Sequence, residues 1–400
     1  MSALSEKVAR LAAGAQFDIC TAGDLPVTGA PPLIGSITRL ARPGGGCLSV
    51  LKVLLTDACH LDCCYCANRS ERRFGRSSLK PEELCDTFIG MRERGLVDGI
   101  FLSSAIHGSA AESMADLVTT AEILRRRHCF RGYVHLKVLP GSPRDCIERA
   151  VELADRVSVN MEAPTQSTMD RLAPKKGLAE DVIKRMQWIK QAAERAGAGT
   201  LKAGQTTQFV VGAAGESDRA IMSSVEALRR SVALRRAYFS AFLPIQDTPL
   251  EGERPCSPQR QHRLYQADWL LREYRFTLGE LVFGADGDLP TCVDPKLAHA
   301  LGNLHLFPLE VNQASLPQLL HVPGIGPVTA ERLISARRQG PFISFDELRN
   351  LGTMARATPF LLVAGRRQGR ISDVLRAGRV AQDQLELFLP GEAVSVVLSR

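Results

Sequence analysis

Short runs rich in β-branched and aromatic residues alternate along this chain with longer stretches whose apolar positions recur every three to four residues. The short runs, at 50–56, 99–104, 133–139, 156–161, 206–212 and 237–243, predict strands; the longer ones, at 80–94, 113–127, 143–154, 180–196 and 217–230, predict amphipathic helices. Parallel neighbours need a crossover of a dozen or more residues, and each interval here supplies one, so the pattern predicts an α/β core around a parallel sheet. Near Asp294 the pattern changes. Loop-rich text runs to Glu310, and then two short helical periods flank Val322-Pro323-Gly324-Ile325-Gly326-Pro327. The expected organisation is an N-terminal extension over 1–46, a core over 47–305, a small all-α domain over 306–368 and a tail over 369–400.

Composition narrows the class. At 400 residues and 45% hydrophobic content the chain can bury a large core, and its apolar runs are too short and too often interrupted by charge to cross a membrane. The net charge of +7 comes largely from clustered arginines such as Arg125-Arg126-Arg127, Arg229-Arg230 and Arg337-Arg338. Such clusters suit an anionic polymer, although most surface arginines are simply solvated. The 11 cysteines are odd in number and scattered, and no stretch reads as a signal peptide, which predicts a reducing, cytoplasmic location.

The chemistry lies just after the first predicted strand. Cys59, Cys63 and Cys66 follow Val50-Leu51-Lys52-Val53-Leu54-Leu55 in the spacing C-x3-C-x2-C, with Tyr65 before the last. Three thiolates on one loop can hold three irons of a cubane [4Fe-4S] cluster and leave the fourth iron open to a small molecule. Zinc is the competing reading, but structural zinc takes paired ligands from two places and no second pair stands at matching spacing. Cys64 lies off the three-ligand spacing and is read as a passenger.

The segment Thr56-Asp57-Ala58-Cys59-His60-Leu61-Asp62-Cys63-Cys64-Tyr65-Cys66 resembles the cluster loop of the radical S-adenosylmethionine (SAM) superfamily. The resemblance implies a (β/α)6 partial TIM barrel, SAM as second cofactor, and a site at the carboxyl ends of the strands. It implies SAM contacts from Tyr65, from Ser103 and Ser104 in Leu102-Ser103-Ser104-Ala105, and from Asn160 and Glu162 in Ser158-Val159-Asn160-Met161-Glu162. Gln208 and Gly212 fall on the adenine-side strand and its turn. Lys137 is a cation among apolar neighbours; a SAM carboxylate is one partner for it and an internal salt bridge the other.

The segment 311–334 resembles the helix-hairpin-helix module, whose G-h-G turn offers backbone N–H groups to a DNA phosphate. In it Gly324 and Gly326 permit the turn, Ile325 plugs the core, the N–H groups of Gly324, Gly326 and Val328 are donors, and Arg332 lies beside them. Residues 311–370 hold eight arginines and no lysine against three acids, an excess of five positive charges. With His262-Arg263-Leu264-Tyr265-Gln266-Ala267-Asp268-Trp269 and Asp294-Pro295-Lys296-Leu297-Ala298, the chain resembles the DNA modification or repair radical SAM proteins, whose genes neighbour a uracil-DNA-glycosylase-like protein. It departs from them at Asp57 (Asn expected), at Ala105 (Gly expected) and over 35–46, where a Cys-His pair is missing, which weakens the case for an auxiliary cluster on Cys20 and Cys47 and leaves it open. The implied function is modification or repair of DNA through a 5′-deoxyadenosyl radical, with an external electron donor. An RNA- or tRNA-modifying enzyme, or a DNA-damage-binding protein with a structural cluster, are the alternatives. Finally, Gln384-Leu385-Glu386-Leu387-Phe388 resembles the short motif that inserts into the bacterial sliding clamp, with Leu387 and Phe388 as anchors on an extended tail.

Overall fold

The computed structural model describes residues 3–18, 37–41, 45–352, 355–389 and 391–399. The chain divides into two compact units, one comprising Met1–Glu216 with Ser224–Cys256, the other Ser217–Ser223 with Ser257–Arg400. Residues 257–305, grouped with the core in the sequence reading, therefore cluster with the hairpin.

The first unit is built on one seven-stranded sheet in sequential order: β1 (Ile37–Ala41), β2 (Cys47–Leu54), β3 (Gly99–Ser103), β4 (Tyr133–Lys137), β5 (Arg156–Ser158), β6 (Gly204–Val211) and β7 (Arg236–Ala241). Strands β2 to β7 run parallel and are the six predicted ones; β1, not predicted, adds an antiparallel edge to β2. Helices α1 (Ala3–Gly14), α2 (Pro81–Glu93), α3 (Ala110–Glu122), α4 (Arg144–Leu153), α5 (Gln166–Leu172), α6 (Lys184–Ala196) and, from Ser224 on, α7 (Asp218–Val232) accompany them, so the sheet is the expected half-barrel. The helix starts are chemically marked: Pro81 opens α2, and Ser109 with Glu112 forms a capping box on α3. Alternate strand positions face opposite sides. Ile100, Leu102, Val134, Leu136, Val157 and Phe209 are wholly buried on one side, while Lys52, Ser103, His135, Lys137, Ser158 and Gln208 make the other a polar inner wall. His135 there stacks on Phe101 at 3.9 Å and meets Ser158 Oγ at 2.9 Å.

The second unit collects α8 (Pro258–Glu273), α9 (Pro295–Gly302), α10 (Leu316–His321), α11 (Pro327–Arg337), α12 (Phe345–Asn350) and a small sheet of β8 (Leu309–Glu310), β9 (Leu361–Val363) and β10 (Arg366–Arg367). Helices α10 and α11 are the predicted pair. Ser315 and Gln318 cap the first, and Pro327 opens the second. Gly324 has φ +88°, and a Cβ there would stand 3.2 Å from Ala357 N, so the turn excludes other residues. Ile325 is 1% exposed and fills the core between the helices. Lys296, buried on α9, donates from Nζ to the Ile325 carbonyl and lies 4.5 Å from the centre of the Tyr274 ring, bracing the turn from behind.

The tail differs from expectation. It is not extended: α13 (Ile371–Ala377), α14 (Gln382–Glu386) and α15 (Gly391–Ser399) pack into the second unit. Leu385 is fully buried, Leu389 is 5% exposed and Phe388 packs against the same core, leaving only Leu387 outside at 74%. The clamp motif's second anchor is thus already spent on the chain's own core.

Leu385→Ala should lower stability by about 2–5 kcal/mol, as expected for a buried leucine, while Leu387→Ala stays within about 0.5 kcal/mol of wild type in urea unfolding. Equal effects would contradict the docked tail. Burial pushes the Lys296 ammonium down to about 7 from 10.5, against the pull of Asp294. Between those values the unfolded chain binds a proton that the folded chain does not, so stability rises with pH there and is flat below. Compared with Lys296→Met, wild type should therefore gain stability from about pH 7 to about pH 10 in denaturation series; a difference independent of pH would refute this.

Candidate active site and nucleic-acid interface

The cysteine loop leaves the carboxyl end of β2 and is fastened at both sides. Leu55 N donates to Ser103 O at 2.8 Å, and Thr56 Oγ1 meets Ser78 Oγ at 2.6 Å. Asp57 accepts from Ser77 N at 2.7 Å and pairs with Arg10 at 3.2 Å, a use for the carboxylate that stands where Asn was expected. Arg76 is the main clamp. Its guanidinium donates to the carbonyls of Asp57 (2.6 Å), Asn68 (2.9 Å), Arg69 (2.6 Å) and Arg72 (3.1 Å), spanning the cysteines, and it stacks on Phe74 at 3.9 Å. Sequence reasoning missed Arg76 because it lies ten residues past the motif in an ordinary arginine-rich stretch.

The clamped loop gathers three thiols. Burial pushes the Cys63 thiol up and the Cys66 thiol up to about 12, and in both cases the neighbouring Cys59 adds to the rise. Cys66 also feels Cys63, and its sulfur accepts from Asn68 N at 3.4 Å. Cys64 is different: its N–H is tied to Leu172 O at 2.7 Å, and the charges nearest its thiol are Arg69, Asp62 and Glu71. Three thiols close enough to act on one another, with the fourth under other charges, fit a cluster bound through three irons.

A second group completes this edge. Lys176, 7% exposed, reaches Glu162 Oε1 at 3.3 Å. Burial works against its ammonium, but Cys63, Glu162 and Cys66 outweigh that and hold its pKa above the ordinary lysine value. The Tyr65 hydroxyl is buried beside Glu162, Cys63 and Cys66, which together with burial hold it well above its usual range. Glu162 follows β5 with φ +60°, a left-handed conformation that a glutamate adopts only when its surroundings impose it; its N–H donates to Gln208 O and its carbonyl accepts from Val210 N. Among the described residues its Oε2 is buried without a hydrogen bond of good geometry, while the Tyr65 hydroxyl lies against the carboxylate. Lys176 had no signal in the sequence, because a Lys-Lys pair in a loop reads as solvated surface.

The remaining site residues separate. Lys137 pairs with Asp18, and Ser103 Oγ donates to the same carboxylate at 2.6 Å. Burial alone would raise the Asp18 pKa, but Lys137, Ser103 and Lys52 bring it below its ordinary value. Lys137 therefore has an internal salt bridge, supplied by the N-terminal extension. Gln208 is engaged by the same segment, donating to Phe17 O at 2.9 Å. Ser104 Oγ turns back to Ala105 O. Asn160 is buried just beyond β5. Gly212 has φ +87°, and a Cβ on it would meet Cys256 Cβ at 2.8 Å, so packing already requires the glycine. Cys20 lies outside the described residues.

In the second unit, the N–H groups of Gly324, Gly326 and Val328 have no partner among the described residues, whereas that of Ile325 bonds Val322 O at 3.1 Å. Val328 and Arg332 are exposed beside the turn. This is an open set of donors at the start of an eleven-residue helix. Among the described residues, no helix is long and apolar enough to cross a membrane.

Residues 53–228 match the radical SAM superfamily, and residues 308–358 match the helix-hairpin-helix motif. No curated protein matches the sequence. Among solved structures, methylornithine synthase is similar at 15% identity and TM-score 0.45, over 56% of this chain and 61% of its own. The FeFe-hydrogenase maturase from Carboxydothermus hydrogenoformans is similar at 14% identity and TM-score 0.46, over 56% and 51%. A radical SAM methyltransferase from Kitasatospora setae, solved with cobalamin and a [4Fe-4S] cluster bound, is similar at 15% identity and TM-score 0.38, over 50% and 35%. The chain thus spans about three-fifths or less of the length of each. Three clamped thiols at the carboxyl edge of a parallel half-barrel and the match over 53–228 lead to one conclusion: this chain carries a radical SAM domain, from a superfamily of enzymes that bind a [4Fe-4S] cluster and SAM, and a helix-hairpin-helix motif follows it.

Proposed function

We propose that the chain is a radical SAM enzyme acting on nucleic acid, with DNA as its substrate. The observation that carries this reading is the presence in one chain of the three-thiol loop and of a hairpin whose N–H groups at Gly324, Gly326 and Val328 are unpartnered. When bound, the cluster and SAM supply a one-electron reductive cleavage that yields a hydrogen-abstracting 5′-deoxyadenosyl radical.

The protein's own part is to hold and to aim. Cys59, Cys63 and Cys66 ligate, and Arg76 keeps their loop in shape. Glu162, with a buried oxygen lacking a hydrogen bond of good geometry, accepts the SAM ammonium, and Lys176 offsets the thiolate charge and stands ready for the SAM carboxylate. This assignment replaces Lys137 and Ser103, whose polar atoms meet Asp18 instead. Asn160 remains the candidate for the ribose hydroxyls. In the second unit the hairpin grips phosphate through backbone, which positions the polymer without reading its sequence. The excess of arginine over acid around the hairpin adds a salt-sensitive attraction.

Anaerobically reconstituted wild type should hold about four iron and four sulfide per chain. Replacing Cys59, Cys63 or Cys66 by Ala should remove them, and Cys64→Ala should leave them; iron retained by the triple variant would refute the ligand set. Lys176→Met should weaken SAM binding at least tenfold with iron content unchanged, read by equilibrium dialysis, and Lys176→Arg should restore part of it. Replacing Gly324 and Gly326 by valine should reduce affinity for a DNA duplex in fluorescence anisotropy across a salt series, with reductive SAM cleavage intact. Equal affinity would remove the hairpin as the grip, and tighter binding to structured RNA than to DNA would favour an RNA-modifying enzyme.

A further inference from the structure

Three ligand-type side chains, none of them assigned a part above, converge in the second unit. Glu280 ends a short 3-10 turn (Leu278–Glu280), His299 lies on α9, and His321 is the last residue of α10, the first helix of the hairpin. One ligand atom from each falls within 4.8 Å of the other two.

The hydrogen bonds around the group fix its chemistry. His299 Nδ1 lies 2.9 Å from the Glu280 carbonyl, and His321 Nδ1 lies 2.7 Å from the Pro317 carbonyl. A carbonyl only accepts, so each Nδ1 carries a proton and each neutral ring turns an Nε2 lone pair inward. Ligating histidines are held in this way, by a backbone acceptor on the far nitrogen. His299, 3% exposed, has its Nε2 buried with no partner. His321 Nε2 stands 3.0 Å from Glu280 Oε1, while Thr277 N and Oγ1 hold the other carboxylate oxygen at 2.7 and 2.8 Å. Phe276 stacks on His321 at 4.2 Å and meets His299 edge-on at 5.1 Å, covering the group with an apolar lid.

A lone pair and a carboxylate oxygen at 3.0 Å require a positive charge between them. A proton on His321 would supply it, but would leave His299 Nε2 unsatisfied. A cation serves all three. We propose that Glu280, His299 and His321 bind one divalent transition ion of the zinc type, tying the first hairpin helix to α9 and to the turn before it. Two imidazoles and one carboxylate suit such an ion. At metal–ligand distances of about 2.0–2.1 Å, tetrahedral ligand atoms lie ~3.3 Å apart. The His321–Glu280 pair, at 3.0 Å, is close to this spacing, and the His299 ligand atom lies within 4.8 Å of both. The fourth position falls to water on the side where Glu280 and His321 are partly exposed.

The test uses the full chain with its iron–sulfur cluster reconstituted, dialysed against Zn2+ alone and analysed for metals. One zinc per chain is expected beyond the iron. His299→Ala, His321→Ala and the milder Glu280→Gln should each weaken zinc binding at least tenfold, with iron content unchanged and with a wild-type far-UV circular dichroism spectrum and urea-unfolding profile, which report that each variant is folded. Co2+ in place of Zn2+ should give ligand-field bands without thiolate charge transfer, lost in His299→Ala. Wild type without zinc beyond its iron, zinc held equally by all three variants, or a cobalt spectrum dominated by thiolate would overturn the site and leave a His321–Glu280 ion pair.

Discussion

Burying three thiolates beside one another is the constraint around which the first unit's carboxyl edge is arranged. Burial and mutual repulsion both push Cys63 and Cys66 toward the neutral thiol, the form that does not bind metal. Two features answer this. The Arg76 guanidinium ties four carbonyls around the loop, so the thiols are gathered before any ligand arrives. The Lys176 ammonium places a buried positive charge among them, and Glu162 keeps that charge paired. Bound iron would take over much of the compensation, releasing Lys176 and Glu162 to meet a small zwitterion such as SAM.

The inner wall of the half-barrel is equally organised by charge. Lys52, His135, Lys137 and Arg156 line or approach it, and burial followed by those cations keeps His135 neutral, well below its ordinary pKa. A single carboxylate, Asp18, enters from the N-terminal segment to meet Lys137 and Ser103. The strand ends at Ser103 and Lys137 thus have a carboxylate beside them, delivered from outside the sheet. The second unit answers a different demand: an unpartnered set of N–H groups at a turn must be stiff to be useful. Ile325 in the core, Gly324 against Ala357 and Lys296 beneath the turn provide that stiffness.

What could be read in the sequence was local. Strand and helix periods located β2 to β7 and their crossovers, because each run carries its own pattern over five or more residues, even where, as at β5, the strand itself is shorter. The cysteine spacing and the Gly324-Ile325-Gly326 turn were legible for the same reason. Contacts between distant segments were not. Asp18 meets Lys137 across 119 positions, and nothing in either neighbourhood announces the other. Lys176 lies far beyond the cysteines, and Glu280, His299 and His321 are spaced about twenty residues apart with no motif. The tail misled because Leu387 and Phe388, read as a pair, part company in three dimensions: a one-turn helix sends Phe388 inward and Leu387 out.

The central claim is that the first unit makes a radical and that the polymer gripped by the second loses a hydrogen to it. The most direct measurement is anaerobic incubation of reconstituted enzyme with SAM, reductant and DNA carrying deuterium throughout, followed by mass analysis of the 5′-deoxyadenosine formed. The account predicts deuterium in that product, dependent on Cys59, Cys63 and Cys66 and absent when deuterated RNA replaces the DNA. Unlabelled 5′-deoxyadenosine at undiminished yield would contradict it, as would label appearing only from RNA.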